Sequence, residues 1–149
     1  MPTFRRGRLA AAIAPIILAA LLGVASAAPA TALLPGSTGP ITQACGHIRW
    51  RNGPDAIERL IRCATRKWPV PGGTDYALRV AFCESKLDAH ARSRTGTYLG
   101  VFQQSRTYWP ARARAYGFPG WSPLNGHANV IVSVRMAHDG GWAAWECAR

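Results

Sequence analysis

The chain carries seven carboxylates, and one of them falls where a carboxylate is costly. Ala77, Val80 and Ala81 recur at helical spacing, and Glu84 follows Ala77 by seven residues, on the same apolar stripe. An ionised glutamate there must shed its charge, find a cation or be used, because its desolvation is expensive. Partial burial raises the pKa of a carboxyl group and keeps it protonated near neutrality, which suits delivery of a proton to a leaving oxygen. Glu84 is therefore the candidate general acid/base. The competing reading is a half-buried ion pair with Arg79 or Arg135. Asp88 would lie one turn beyond Glu84 if the helix continues, as a second carboxylate or, more plainly, as a partner of Arg92. Asp139 and Glu146 lie near the C-terminus, whereas Asp55, Glu58 and Asp75 belong to the first helix or to helix starts.

Other chemistries fit less well. His47, His90, His127 and His138 are scattered without ligand spacing, and no C-x-x-C pair exists, so neither a metal nor an organic cofactor is expected. No Ser or Cys nucleophile motif surrounds the histidines. The six tryptophans offer flat faces for stacking on sugar rings, although most should be core; Trp142 and Trp145, beside the last cysteine, are the candidates, with Tyr98 and Trp109 as further ones.

The elements that position these residues follow from periodicity and breakers. Pro54 opens a first amphipathic helix with Ile57, Leu60, Ile61 and Ala64, which Pro69 stops. After a Pro-Gly turn, Thr74 caps a second helix from about Asp75 to Asp88, including Leu87 on its apolar face. The run Arg94 to Gln104 suggests a short hairpin or extended loop, and Pro110 opens a short helix ending near Gly117. Val130, Ile131, Val134 and Ala137 have helical spacing, although the β-branched run leaves a strand open. Gly140-Gly141 ends that segment.

The N-terminus reads as a targeting signal. Arg5, Arg6 and Arg8 precede an apolar run from Leu9 to Val24 and a series of small residues, giving a signal peptide over 1–32 with cleavage between 27 and 32. The run is short for a membrane span, so no stable membrane insertion is expected after cleavage. A flexible lead-in covers 33–44 and one folded domain covers 45–149. Residues 33–149 hold 15 basic and 7 acidic side chains, a net charge of +8, which calls for a polyanion or an anionic surface as partner. Export favours the cell wall over nucleic acid. In an exported chain Cys45, Cys63, Cys83 and Cys147 should form two disulfides. Of the three pairings, Cys83 with Cys147 and Cys45 with Cys63 are favoured: one ties the Glu84 helix to the Trp-rich C-terminus, the other pins the N-terminal lead to the first helix.

Cys83-Glu84-Ser85, then Ala91-x-Ser93-x-x-Gly96, then Tyr98-Leu99-Gly100-Val101-Phe102-Gln103 resembles the signature of soluble lytic transglycosylases. The closing Gly141-Trp142-x-x-Trp145-x-Cys147, with the Cys-Glu-Ser start, resembles resuscitation-promoting factor domains of actinobacteria. The likeness spans about residues 76 to 147. It implies an α+β, mainly α, lysozyme-like fold with a small β-hairpin, Glu84 as catalytic acid/base, and Ser93 and Gln103 in a sugar-binding cleft. Asn129 matches an asparagine of the second transglycosylase segment and joins the substrate-binding set. Two departures stand out: one extra residue separates Gly96 from the strand glycine, and Lys86, Leu87 and Asp88 replace the Gly-Gly-Asn of resuscitation factors.

The expected product is a secreted, monomeric enzyme that cuts peptidoglycan glycan strands between N-acetylmuramic acid and N-acetylglucosamine. Transglycosylation is expected because an obvious second carboxylate is lacking. The alternatives are a lysozyme-type hydrolase, a non-catalytic wall-binding or signalling module, and a cationic protein that binds membranes or nucleic acid by charge alone.

Overall fold

The computed structural model describes residues 42–149; the leader expected over 1–32, and residues 33–41 of the expected lead-in, lie outside them. The described residues form four α-helices, a two-stranded antiparallel hairpin and two 3-10 turns, a mainly α arrangement with a small β element.

Helix α1 (Pro54–Lys67) starts on a proline, whose missing N–H is harmless in the first turn, and buries Ile57, Leu60, Ile61 and Ala64 as one stripe. Trp68, constrained by the following Pro69, is extended and ends it. Helix α4 (Gly126–Gly140) settles the helix-or-strand alternative. The Asn125 side chain accepts from the Ala128 N–H at 3.1 Å, capping it, and Gly126 to Val134 are buried without interruption. A stretch buried on every face belongs in the core, where its β-branched residues pack against α1 and its polar His127, Asn129 and Ser133 are hydrogen-bonded.

Helix α2 (Gly73–Ser85) is shorter than the pattern suggests. Thr74 does not cap it; its hydroxyl meets that of Thr65 at 2.8 Å, and Gly72 occupies the cap in a left-handed conformation. At the other end Lys86 and Leu87 both turn left-handed, at φ 56° and 63°, so Leu87 and Asp88 leave the helix. These are the positions where the resembled resuscitation factors have Gly-Gly, which adopts such backbone freely. Glu84 thus occupies the last turn of α2.

The hairpin pairs β1 (Tyr98–Leu99) with β2 (Gln104–Ser105), with Tyr98 opposite Ser105 and Leu99 opposite Gln104. Asn129 fastens it to α4: its Oδ1 accepts from the Phe102 N–H at 2.9 Å, and its Nδ2 donates to the carbonyls of Leu99 and Pro123. Helix α3 (Trp109–Ala115) follows. At the C-terminus Trp142 and Trp145 pack on Phe102, and both expected disulfides, Cys45–Cys63 and Cys83–Cys147, are formed. Folded structure also begins earlier than expected. Thr42 and Ala44 are buried, and His127 Nε2 contacts the Ala44 carbonyl at 2.7 Å, so 42–44 belong to the domain and not to a flexible lead.

Gly100 lies where the hairpin meets α4, at φ +75°. A Cβ there would collide with the Pro123 carbonyl oxygen and stand 2.6 Å from Asn129 Nδ2. Gly100→Ala should cost about 2–4 kcal/mol in urea unfolding, from left-handed strain plus overpacking. A loss under about 0.5 kcal/mol, the range of surface substitutions, would show that this junction yields freely.

Candidate active site

Glu84 borders a cavity of about 330 Å³ lined also by Tyr98, Gln103, Ala144, Trp145, Glu146 and Arg149. Three elements build it. The last turn of α2 supplies Glu84, the hairpin supplies Tyr98 and Gln103, and the C-terminal 3-10 turn (Glu146–Ala148) with the preceding Trp145 closes the side. The Cys83–Cys147 bridge joins the first of these to the last, one residue away from Glu84 and from Glu146.

The Glu84 carboxyl is half-buried, and its pKa is raised above the usual glutamate value. Burial is the main cause; the Cys147 N–H, donating to Oε1 at 3.3 Å, pulls it back down, and the negative charge of Glu146 pushes it further up. None of the ion pairs among the described residues involves Glu84, so the Arg79 and Arg135 alternative finds no support. Those arginines instead lie over the rings of Tyr76, and of Trp68 and Tyr116.

The other expected site residues divide. Gln103 stands at the hairpin turn with φ +41°, its Nε2 donating to the Gly100 carbonyl at 2.9 Å, and is one of the residues lining the cavity. Tyr98 exposes about half its surface beside Glu84. Trp145 contributes only an edge, because its ring is buried and its indole N–H donates to the Phe102 carbonyl at 2.9 Å.

Three assignments to substrate need correcting. Asn129 is fully buried and its amide is used on three backbone groups, so it shapes the hairpin and has no free edge for a sugar. Trp142 is buried among Tyr76, Phe102 and Trp145 with its N–H on the Pro71 carbonyl, which makes it core. Ser93 is turned into its own loop, where its hydroxyl accepts from the Tyr98 N–H at 3.0 Å, and does not line the cavity. Trp109, a further stacking candidate, is likewise buried, its N–H on the Trp121 carbonyl.

Asp88 is no neighbour of Glu84 on a helix, because the left-handed pair at Lys86-Leu87 diverts it; its carboxylate accepts from the His90 N–H instead. Asp139 accepts from the Tyr116 hydroxyl. Of the acids held in reserve, Glu146 is the one that shares the Glu84 cavity. The sequence contained that signal: once Cys83 pairs with Cys147, the adjacent residues 84 and 146 must approach. Among the described residues no cluster of His, Cys, Asp and Glu is arranged to hold a metal ion, and no helix is long and apolar enough to cross a membrane.

No family model matches the chain, and no curated protein or solved structure is found similar to it.

Glu146 is exposed, so its charge is removable with little structural consequence. Glu146→Gln takes away an influence that raises the Glu84 pKa, and the midpoint of Glu84, followed by carboxyl-carbon NMR, should move to lower pH. A midpoint that stays put or rises would remove Glu146 from the electrostatics of the site.

Proposed function

We propose that this chain is an exported enzyme of lysozyme-like architecture that cleaves the β-1,4 bond between N-acetylmuramic acid and N-acetylglucosamine in peptidoglycan, by transglycosylation. The observation that carries this reading is the half-buried Glu84, its pKa raised chiefly by burial, in a cleft shared with Tyr98, Gln103 and Trp145. Its support beyond that is the order of motifs from Cys83 to Cys147, the two disulfides and the basic balance of the chain.

Protonated Glu84 gives its proton to the glycosidic oxygen as the bond to the muramyl anomeric carbon breaks. The resulting carboxylate then takes the proton of the muramyl C6 hydroxyl, whose oxygen closes on the anomeric carbon. The product is a 1,6-anhydromuramyl end, no water is consumed, and Glu84 is reprotonated. Tyr98 offers an exposed ring for a sugar face. Glu146 favours keeping Glu84 protonated at the start of the cycle.

A second reading, hydrolysis, is favoured by the presence of Glu146 in the same cavity, where a carboxylate is available to act on water or on the anomeric carbon. Mass spectrometry of a digest of purified peptidoglycan in oxygen-18 water separates the two. Anhydromuramyl products without label are expected. Labelled reducing-end muramic acid as the sole product would make the enzyme a hydrolase, with Glu146 as the first residue to test; absence of any cleavage would leave a wall-binding module.

A further inference from the structure

A larger concavity, about 510 Å³, shares no residue with the Glu84 cleft and is lined by His47, Ile48, Arg49, Asn52, Arg59, Arg62 and Arg66. Its origin is visible in the sequence. Arg59, Arg62 and Arg66 stand three and four residues apart on α1, a row about 10 Å long at helical rise. The Cys45–Cys63 bridge staples the N-terminal turn to the middle of that row, so His47 and Arg49 face the helix from across a groove. The cations therefore come from two segments locked together covalently. A merely solvated helix face would spread them over a convex surface.

Their charge is poorly matched within the chain. The ion pairs among the described residues both fall on Arg62, with Glu58 at 2.9 Å and Asp75 at 3.7 Å. Arg49, Arg59 and Arg66 have no carboxylate partner there. Guanidinium groups gathered without counter-charge repel one another, and an anion with several charges in line relieves the repulsion of all of them at once. Phosphodiesters match the planar guanidinium fork and stay ionised at every physiological pH.

We infer that this groove binds a linear polyol-phosphate chain of the cell envelope, along the α1 arginine row. Nucleic acid has the same backbone charge, but the groove presents no Trp, Tyr or Phe as a platform for successive bases, His47 being the one ring among its lining residues. The two disulfides also fit an oxidising exterior, where envelope polymers are the available polyphosphates. Such a site tethers the protein to the wall independently of cleavage.

The test is titration calorimetry of the full chain with a synthetic glycerol-phosphate oligomer, at several salt concentrations. The triple variant Arg49→Gln, Arg59→Gln, Arg66→Gln should bind at least about 10-fold more weakly and show a shallower salt slope, by roughly two to three units for three lost phosphate contacts. Glu84→Gln should bind as the unmodified protein does, which separates this site from the cleft. Arg106→Gln with Arg114→Gln, removing charge elsewhere, should change affinity less than twofold; circular dichroism and the charge-keeping Arg→Lys triple control for folding and for charge alone. Equal weakening by the two sets of substitutions, an unaffected triple variant, or single-stranded DNA of equal charge binding as tightly would overturn the proposal, the last in favour of a general polyanion or nucleic-acid face.

Discussion

Glu84→Gln should reduce release of muropeptides from purified walls by at least ~100-fold while the protein still folds and still sediments with the wall. The amide keeps the length and shape of the side chain, and its oxygen can still accept from the Cys147 N–H as Oε1 does at 3.3 Å. What it lacks is an acidic proton. The substitution also removes the carboxyl group whose burial disfavours charge, so stability should be unchanged or slightly higher near neutral pH. The sign follows from the raised pKa: the folded state holds the Glu84 proton more tightly than the unfolded chain, so ionisation with rising pH works against the fold. The same raised pKa would set the pH dependence of the proposed reaction. Cleavage by the unmodified protein should fall as pH climbs through the Glu84 titration, because the proton to be donated is then lost. A Glu84→Gln protein that retains more than about a tenth of the original turnover, against the ~100-fold expected of a general acid, would end the catalytic assignment. It would pass the search for the acid to Glu146, the other carboxylate of the cavity; only a protein that never cleaves, substituted or not, would leave the wall-binding alternative.

Legibility of the fold varied with the kind of signal each segment carries. Helix α1 was plain because its apolar stripe is bounded by Pro54 and Pro69, two residues with fixed local consequences. The end of α2 was not, since Lys86 and Leu87 give no local warning that their backbone turns left-handed, a conformation that costs a side-chain-bearing residue roughly 1–2 kcal/mol. Local bonds close the turn, with the Lys86 N–H on the Phe82 carbonyl at 2.8 Å and the Asp88 N–H on the Ser85 carbonyl at 3.1 Å, and tertiary contacts anchor it: the Ser85 hydroxyl donates to the Val101 carbonyl at 2.7 Å and Leu87 packs on the core. For α4 the spacing of Val130, Ile131, Val134 and Ala137 gave the helix, while the β-branched run left a strand open until the Asn125 cap was seen in the structure. Glu84 was legible because a charge on an apolar stripe is an anomaly in one dimension. Asn129, Ser93 and Trp142 were not, because a residue that binds a sugar and one that buries its polar atoms on backbone look alike until the partners are known. Glu146 became legible only through the disulfide that brings it beside Glu84.

The other large effect is expected at that disulfide. Cys83 and Cys147 are 64 residues apart, and Cys45 and Cys63 are 18 apart. Loop-entropy reasoning assigns about 4 kcal/mol to the first closure and about 3 kcal/mol to the second. If stability were the whole story, the two double Cys→Ser variants would behave alike, apart from that small difference. Their surroundings say otherwise. Cys147 supplies the N–H on Glu84, and its bridge holds the turn that carries Glu146 and the Trp145 edge against the cleft. Cys45–Cys63 touches none of these; it secures the N-terminal turn to α1. The Cys83→Ser, Cys147→Ser protein should therefore lose cleavage well beyond its unfolded fraction, measured at low temperature where urea titration shows it still folded. The Cys45→Ser, Cys63→Ser protein should cleave at near the normal rate per folded molecule. Cleavage that simply tracks the folded fraction in both variants would mean that the C-terminal turn is a strap for the fold and contributes nothing to the chemistry at Glu84.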